Sequence, residues 1–186
     1  MRTIAEVQAL LADNTTGAIG PSDIRDAVAS LDDTGWAQYA DTQYTSGAPF
    51  SILANTDTLL PNNAAQILDS EKPSDVTTFY DGSVITGRNG DGITITVDLT
   101  AVPTTASTTS LELWLDIGAP VGELYRRIVT FPKGNGIARP INFTITGYTL
   151  DTWETNGATA YVRANGTADL YGIRYVITRT HRGSRR

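Results

Sequence analysis

The chain reads as a mainly β protein: an antiparallel β-sandwich of jelly-roll type preceded by an N-terminal α-helical hairpin. Three observations predict this. From residue 76 onward, short runs of alternating apolar and polar residues recur between Gly-, Asn- and Pro-bearing turns, with no strand–helix–strand alternation. Ile93-Thr94-Ile95-Thr96-Val97-Asp98-Leu99 alternates without a fault, as a strand with one buried face requires. Apolar residues at helical spacing are confined to the first 31 residues. An immunoglobulin-like sandwich is the alternative winding, and the chain lacks the cysteine–tryptophan–cysteine spacing expected of it.

The elements follow in order. Thr3 and Glu6 have capping-box spacing, so each side chain satisfies a free backbone N–H of a first helix. Ile4, Val7, Leu10 and Leu11 give that helix one apolar stripe, and Asp13-Asn14-Thr15-Thr16-Gly17 ends it. Gly20-Pro21 opens a second helix, with Asp23 at its positive end and Ile24, Ala27, Val28 and Leu31 as its stripe. Helices this short are unstable alone in water, so the pair is expected to pack on the β-domain or on a partner. Trp36, Tyr39 and Tyr44 lie in a polar stretch, followed by short strands at Phe50–Leu53 and Thr58–Leu60.

Phe79-Tyr80 precedes an Asp81-Gly82 hairpin turn, and Asn89-Gly90-Asp91-Gly92 makes another turn before the 93–99 strand. Further strands are predicted at Leu111–Asp116, Leu124–Phe131, Ile141–Leu150, Ala158–Ala164 and Ile173–Thr180. The turns between them carry Gly134-Asn135-Gly136, Asn156-Gly157 and Asn165-Gly166. The organisation expected is a helical attachment segment (1–35), a connecting region with short strands (36–75), and a sandwich (76–186) with room for strands from 36–75. An attachment module joined to a display module fits this order better than an enzyme does.

Composition narrows the function. The 186 residues contain no cysteine, which excludes disulfides, thiolate zinc sites and cysteine nucleophiles. The N-terminal residues lack the apolar core of a signal peptide, and no stretch approaches a membrane span, so no membrane partner is expected. Net charge is −6; the last eight residues hold four arginines, which leaves −10 on residues 1–178. An acidic body argues against nucleic-acid binding. The basic tail reads as a solvated terminus or an intersubunit contact.

Catalytic equipment is sparse. The single histidine, His181, lies in the tail. Asn89-Gly90-Asp91-Gly92 carries a fragment of a calcium-loop pattern without its closing acid, and Gly134-Asn135-Gly136 has no phosphate-loop context. Glu112 and Asp116 share a strand face with Glu123 nearby, the minimum for a two-carboxylate glycosidase, yet acids on a polar face are usually only solvated. No metal, cofactor or catalytic residue is therefore assigned, and the chain is read as not an enzyme. Trp114 shares that face with Glu112 and Asp116 and is read as an oligomer contact or a sugar-stacking platform, as is Trp153. Arg126 is expected to pair with the acidic face across subunits.

Residues 7–31, VQALLADNTTGAIGPSDIRDAVASL, resemble a segment recurrent in virion proteins of tailed bacteriophages, where it precedes a β-rich distal part. Gly20 stands where that segment commonly has Ser, and still caps the second helix. The β-region is similar, in architecture only, to the trimeric, TNF-like jelly-roll heads of phage decoration, head-fibre and short tail-fibre proteins. The resemblance implies a virion structural protein that docks on capsid or tail proteins through Ile4, Val7, Leu10, Leu11, Ile24, Arg25, Val28 and Leu31. It implies a homotrimer at the particle surface, assembled in the host cytoplasm, with capsid decoration, cement or head fibre as the leading role. The alternative is a short tail-fibre or spike adhesin that binds host surface glycan.

Overall fold

A computed structural model of the chain describes residues 33–183 and, ahead of them, Ile24, which is helical and exposed. The rest of the predicted helical hairpin, including Ile4, Val7, Leu10, Leu11, Arg25, Val28 and Leu31, lies outside the described residues. The strands are β1 (Gly35–Ala40), β2 (Phe50–Ile52), β3 (Thr58–Leu59), β4 (Gln66–Leu68), β5 (Gly92–Pro103), β6 (Ser110–Asp116), β7 (Glu123–Thr130), β8 (Arg139–Tyr148), β9 (Thr159–Ala164) and β10 (Ala168–His181). One short helix, α1 (Asp151–Asn156), joins β8 to β9.

The strands form two antiparallel sheets. The larger runs β4-β1-β10-β5-β8, with β2 added to the start of β10; the smaller runs β3-β9-β6-β7. Set aside the accessory strands β2 and β4, and number the others in chain order. The sheets then read 1-8-3-6 and 2-7-4-5, the jelly-roll winding. Residues 35–68 supply β1 through β4, so the sandwich is closed by strands on both sides of residue 76.

The pleat explains the core. Alternate residues of a strand point to opposite faces, and β5 turns Ile93, Ile95, Val97, Leu99 and Ala101 inward. Ile141, Phe143 and Ile145 of β8 and Ile173, Tyr175 and Ile177 of β10 extend this layer. Leu111, Leu113 and Leu115 of β6 with Ala160, Val162 and Ala164 of β9 close it from the other sheet. Each buried Ile, Leu or Val contributes roughly 1.5–3 kcal/mol against the cost of ordering the chain. At one end the edge-on rings of Tyr39, Tyr80 and Tyr175 fill the space between sheets, 5.7 and 5.1 Å apart. Their hydroxyls are paired: Tyr175 donates to Leu60 O (3.1 Å), Tyr80 to Asn62 O (3.0 Å), and Tyr39 accepts from Phe79 N–H (2.8 Å).

Besides β4, which the sequence reading did not place, two features depart from it. Strand β10 starts at Ala168, five residues before the predicted Ile173, because a β-bulge at Gly172–Ile173 breaks its two-residue period. Gly172 takes φ +64°, and both Leu170 and Ile173 end inward. Helix α1, absent from the sequence reading, is too short to show a helical period. It exists to bury Trp153, whose indole N–H donates to Ile85 O at 2.9 Å. The Asp81-Gly82 turn is formed as predicted, with Asp81 Oδ1 accepting from the N–H of Ser83 and Val84 and Tyr80 bridged to Ile85.

Candidate functional site

The densest charge lies where both ends of the described chain meet. Arg179, on the inward face of β10 and 1% exposed, is ringed by aspartates from three separate segments. Its Nε donates to Asp33 O (2.8 Å), and its Nη atoms meet Asp33 Oδ2 (2.8 Å), Asp75 Oδ1 (2.6 Å) and Asp91 Oδ2 (3.4 Å). Arg182 bridges Asp33 and Asp75, each at 3.2 Å, and Arg88 bridges Asp75 (3.3 Å) and Asp91 (3.0 Å). Gly183 closes the knot by donating to Asp91 Oδ1; a Cβ there would stand 2.6 Å from Asn89 O.

Burial pushes the Asp33 carboxyl above its ordinary value. It pushes Asp75 up as well, but the hydrogen bond and charge of Arg179, with Arg182 behind it, prevail and hold Asp75 below the ordinary range. A hollow of about 500 Å³ opens beside the knot, lined by Val76, Phe79 and Arg88 among others. Three arginines face three aspartates, so the charge is balanced and asks for no ligand. This is a clasp that ties Asp33, the first residue of the described body, to the end of β10. The basic tail is thus not a solvated terminus as far as Arg179 and Arg182 go: both are spent inside the chain.

The outer face of the smaller sheet carries the predicted Glu112, Trp114, Asp116 and Arg126. Trp114 projects outward by the pleat yet is only 4% exposed. Tyr161 stacks beside it at 5.8 Å, and the Arg126 guanidinium lies 4.0 Å over its ring. Arg126 is held by ion pairs to Glu112 and to Glu123, the latter at 2.6 Å. Its position comes from a bulge in β7: Leu113 pairs Arg127 but Leu115 pairs Leu124, and Tyr125 adopts φ +57°. The expectation of an exposed stacking Trp114 is corrected, and Arg126 is placed against Glu112 and Glu123 of its own chain. Tyr161 and Arg126 cover the ring, and Arg126 spends its charge within its own chain. Trp153 is 1% exposed inside α1 and likewise offers no ring to a sugar.

The outer face of the larger sheet is different in kind. Its register lines up four rows across the strands. The first is Trp36-Thr178-Thr94-Thr146, and the second is Leu68-Gln38-Val176-Thr96-Thr144. The third is Gln66-Ala40-Arg174-Asp98-Asn142, and the fourth Tyr171-Thr100-Pro140. Arg174 and Asp98 are the only charges in these rows; a further row, Ser51-Asp169-Val102, adds Asp169, which accepts from Ser51 Oγ at 2.5 Å. At the β4 edge Ile67 and Leu68 are exposed, and so are Leu53 and Leu59 beside β3. The Thr alternation in β5 was the sequence signal for this face; its extent needed the register.

Among the described residues no three His, Asp or Glu side chains are grouped to hold a metal ion, and His181 is exposed on β10. No described helix is long and apolar enough to cross a membrane.

No protein-family model and no curated protein matches this chain. Solved structures do. The TNF Eiger of S. frugiperda is similar over 82% of this chain and 96% of its own, at 8% identity and a TM-score of 0.49. The PRD1 vertex protein P5 is similar over 82% and 99%, at 16% identity and a TM-score of 0.44. The VP2 protein of infectious bursal disease virus is similar over 80% of this chain and 32% of its own, at 13% identity and 0.36. The jelly-roll assignment rests on the strand order above, and the sandwich stands as a mainly β, antiparallel jelly roll.

Proposed function

We propose that this chain is a non-enzymatic structural protein of a bacteriophage virion, an oligomeric capsid decoration, cement or head-fibre protein. Its body is displayed as a homotrimer, packed through the outer face of the β4-β1-β10-β5-β8 sheet, and residues 1–31 dock it on the particle. The observation that carries this reading is the contrast between the two sheet faces. The smaller sheet presents ion pairs that are satisfied within the chain, as a solvated surface does. The larger presents threonines, Val176, Ala40 and Leu68 with almost no charge. Depletion of charge marks the centre of a subunit interface. The setting comes from the resemblance of residues 7–31 to phage virion proteins.

The test has two arms. Light scattering on the purified protein should return three times the 19.9 kDa chain mass, and a mass equal to that of one chain would remove the oligomer. Undecorated phage heads should deplete it from solution, and host cells should not. Depletion by cells alone would move the function to host recognition as a tail-fibre or spike adhesin, and depletion by neither would remove the virion role.

A further inference from the structure

We propose that Asp98 and Arg174 form an ion pair between copies of this chain, the Arg174 guanidinium of one copy entering the hollow beside Asp98 of the next. The inference rests on the self-association reading above and names the contact that sets its register.

The hollow is a product of the β10 bulge. Tyr171 pairs Thr100 and Arg174 pairs Asp98, so three steps on β10 match two on β5. The extra residue turns Ile173 into the core and Arg174 outward. Gly172 leaves open space, with no atom within 4 Å of where its Cβ would be. The result is a depression of about 290 Å³, bordered by Asp98, Thr100, Pro140, Asn142, Gly172 and Arg174.

Donor and acceptor capacity are both unspent there. Arg174 is 47% exposed at its side chain, and among the described residues Asp98 is the only group its guanidinium meets, at 3.3 Å. A guanidinium carries five N–H donors in a fixed fork. Asp98 accepts from Asn142 Nδ2 at 2.7 Å through Oδ1 and meets Arg174 through Oδ2, which leaves lone pairs free on both oxygens.

Asp169 is engaged by Ser51; the central rows of the face carry one cation beside one anion, Arg174 and Asp98, and are complementary to themselves. In a cyclic assembly the symmetry repeats each contact around the ring, so an Arg174 that meets Asp98 of the next copy leaves no Arg174 without an Asp98. Out of register, the two charges are set against threonine and are desolvated with only their single 3.3 Å contact inside the chain, a penalty that selects the correct pairing. The occupant is a second copy because its own face brings a cation and an anion in the same arrangement: a free anionic ligand would meet Arg174 but be repelled by Asp98, and a free cation the reverse.

The absence of cysteine makes the test clean. Single-cysteine variants Asp98→Cys and Arg174→Cys of the full chain, mixed and treated with a short bis-maleimide, cannot cross-link within one chain. The expected product is a 98–174 link between chains in clear excess over 98–98 and 174–174. In parallel, Arg174→Asp should weaken association by about tenfold or more, and Asp98→Arg/Arg174→Asp should restore most of it. Both residues lie on the outer face, and circular dichroism checks that each variant is folded before its association is read. If the wild-type chain is oligomeric but the mixture gives no 98–174 link and Arg174→Asp assembles normally, the pair is overturned while self-association stands. Links of the 98–98 or 174–174 kind alone also overturn it. A wild-type chain that stays monomeric at high concentration overturns both.

Discussion

At the scale of single residues the strongest dependence falls on Arg179. Its guanidinium is buried and serves Asp33, Asp75 and Asp91, of which Asp75 is still partly exposed. Arg179→Met would leave three aspartates with only Arg88 and Arg182 between them. Breaking a buried pair from one side costs about 3–5 kcal/mol, and urea unfolding should show a loss of that size. Asp75 sets the pH dependence. Its folded pKa is depressed below 3.8, so its contribution is fully present above that value and is lost as pH falls through the lowered one. Asp75→Asn should therefore be less stable than wild type at pH 7, with the gap closing below about pH 4. A gap that is constant from pH 7 to pH 3 would show that Asp75 acts by packing and not by charge. Asp33 runs the opposite way: burial raises its pKa, so it takes up a proton first on acidification.

At the scale of elements, two bulges give the sandwich its surface chemistry. The β10 bulge depends on Gly172 at φ +64°, where added bulk meets nothing and only the backbone resists. Gly172→Ala should cost about 1–2 kcal/mol from that conformation alone, read as a shift of the urea midpoint at unchanged m-value. The β7 bulge sets Arg126 over Trp114, and there the cost is in packing. Trp114→Ala removes the partner of Tyr161 and of the guanidinium, and a loss of about 3 kcal/mol is expected by the same measurement. A neutral outcome would mean that the ring is covered in the folded chain without contributing to it. Neither bulge is written in the alternation. Residues 168–181 alternate on either side of Gly172, but the slip between Leu170 and Ile173 is visible only if a bulge is allowed for.

At the scale of the whole molecule, the clasp puts the exit of the N-terminal segment beside the end of β10. Every strand among the described residues lies between Gly35 and His181. Removal of residues 1–31 keeps Asp33 and should leave a folded body whose Tm changes by no more than about 3 °C, roughly 1 kcal/mol. The same truncation should abolish binding to phage heads, and retained binding would place the docking surface on the sandwich.

The sequence alone determined the class and the rhythm of this protein. Alternating runs such as Ile93–Leu99 and Leu111–Leu115 have one apolar face each, and Asp81-Gly82 and Asn165-Gly166 punctuate them; local sterics and burial suffice for both. The same local logic made Trp114 look outward, which its pleat obeys. Burial by Tyr161 and Arg126 depends on residues 12 or more positions away, and no local pattern carries that. The tertiary structure alone decided which charges are spent. Arg179 and Arg182 read as tail until β10 brought them between Asp33, Asp75 and Asp91. Asp98 and Arg174 stand out only when the register of five strands shows how neutral their surroundings are. Periodicity is a property of neighbours along the chain, whereas the cost or gain of a charge is a property of its neighbours in space.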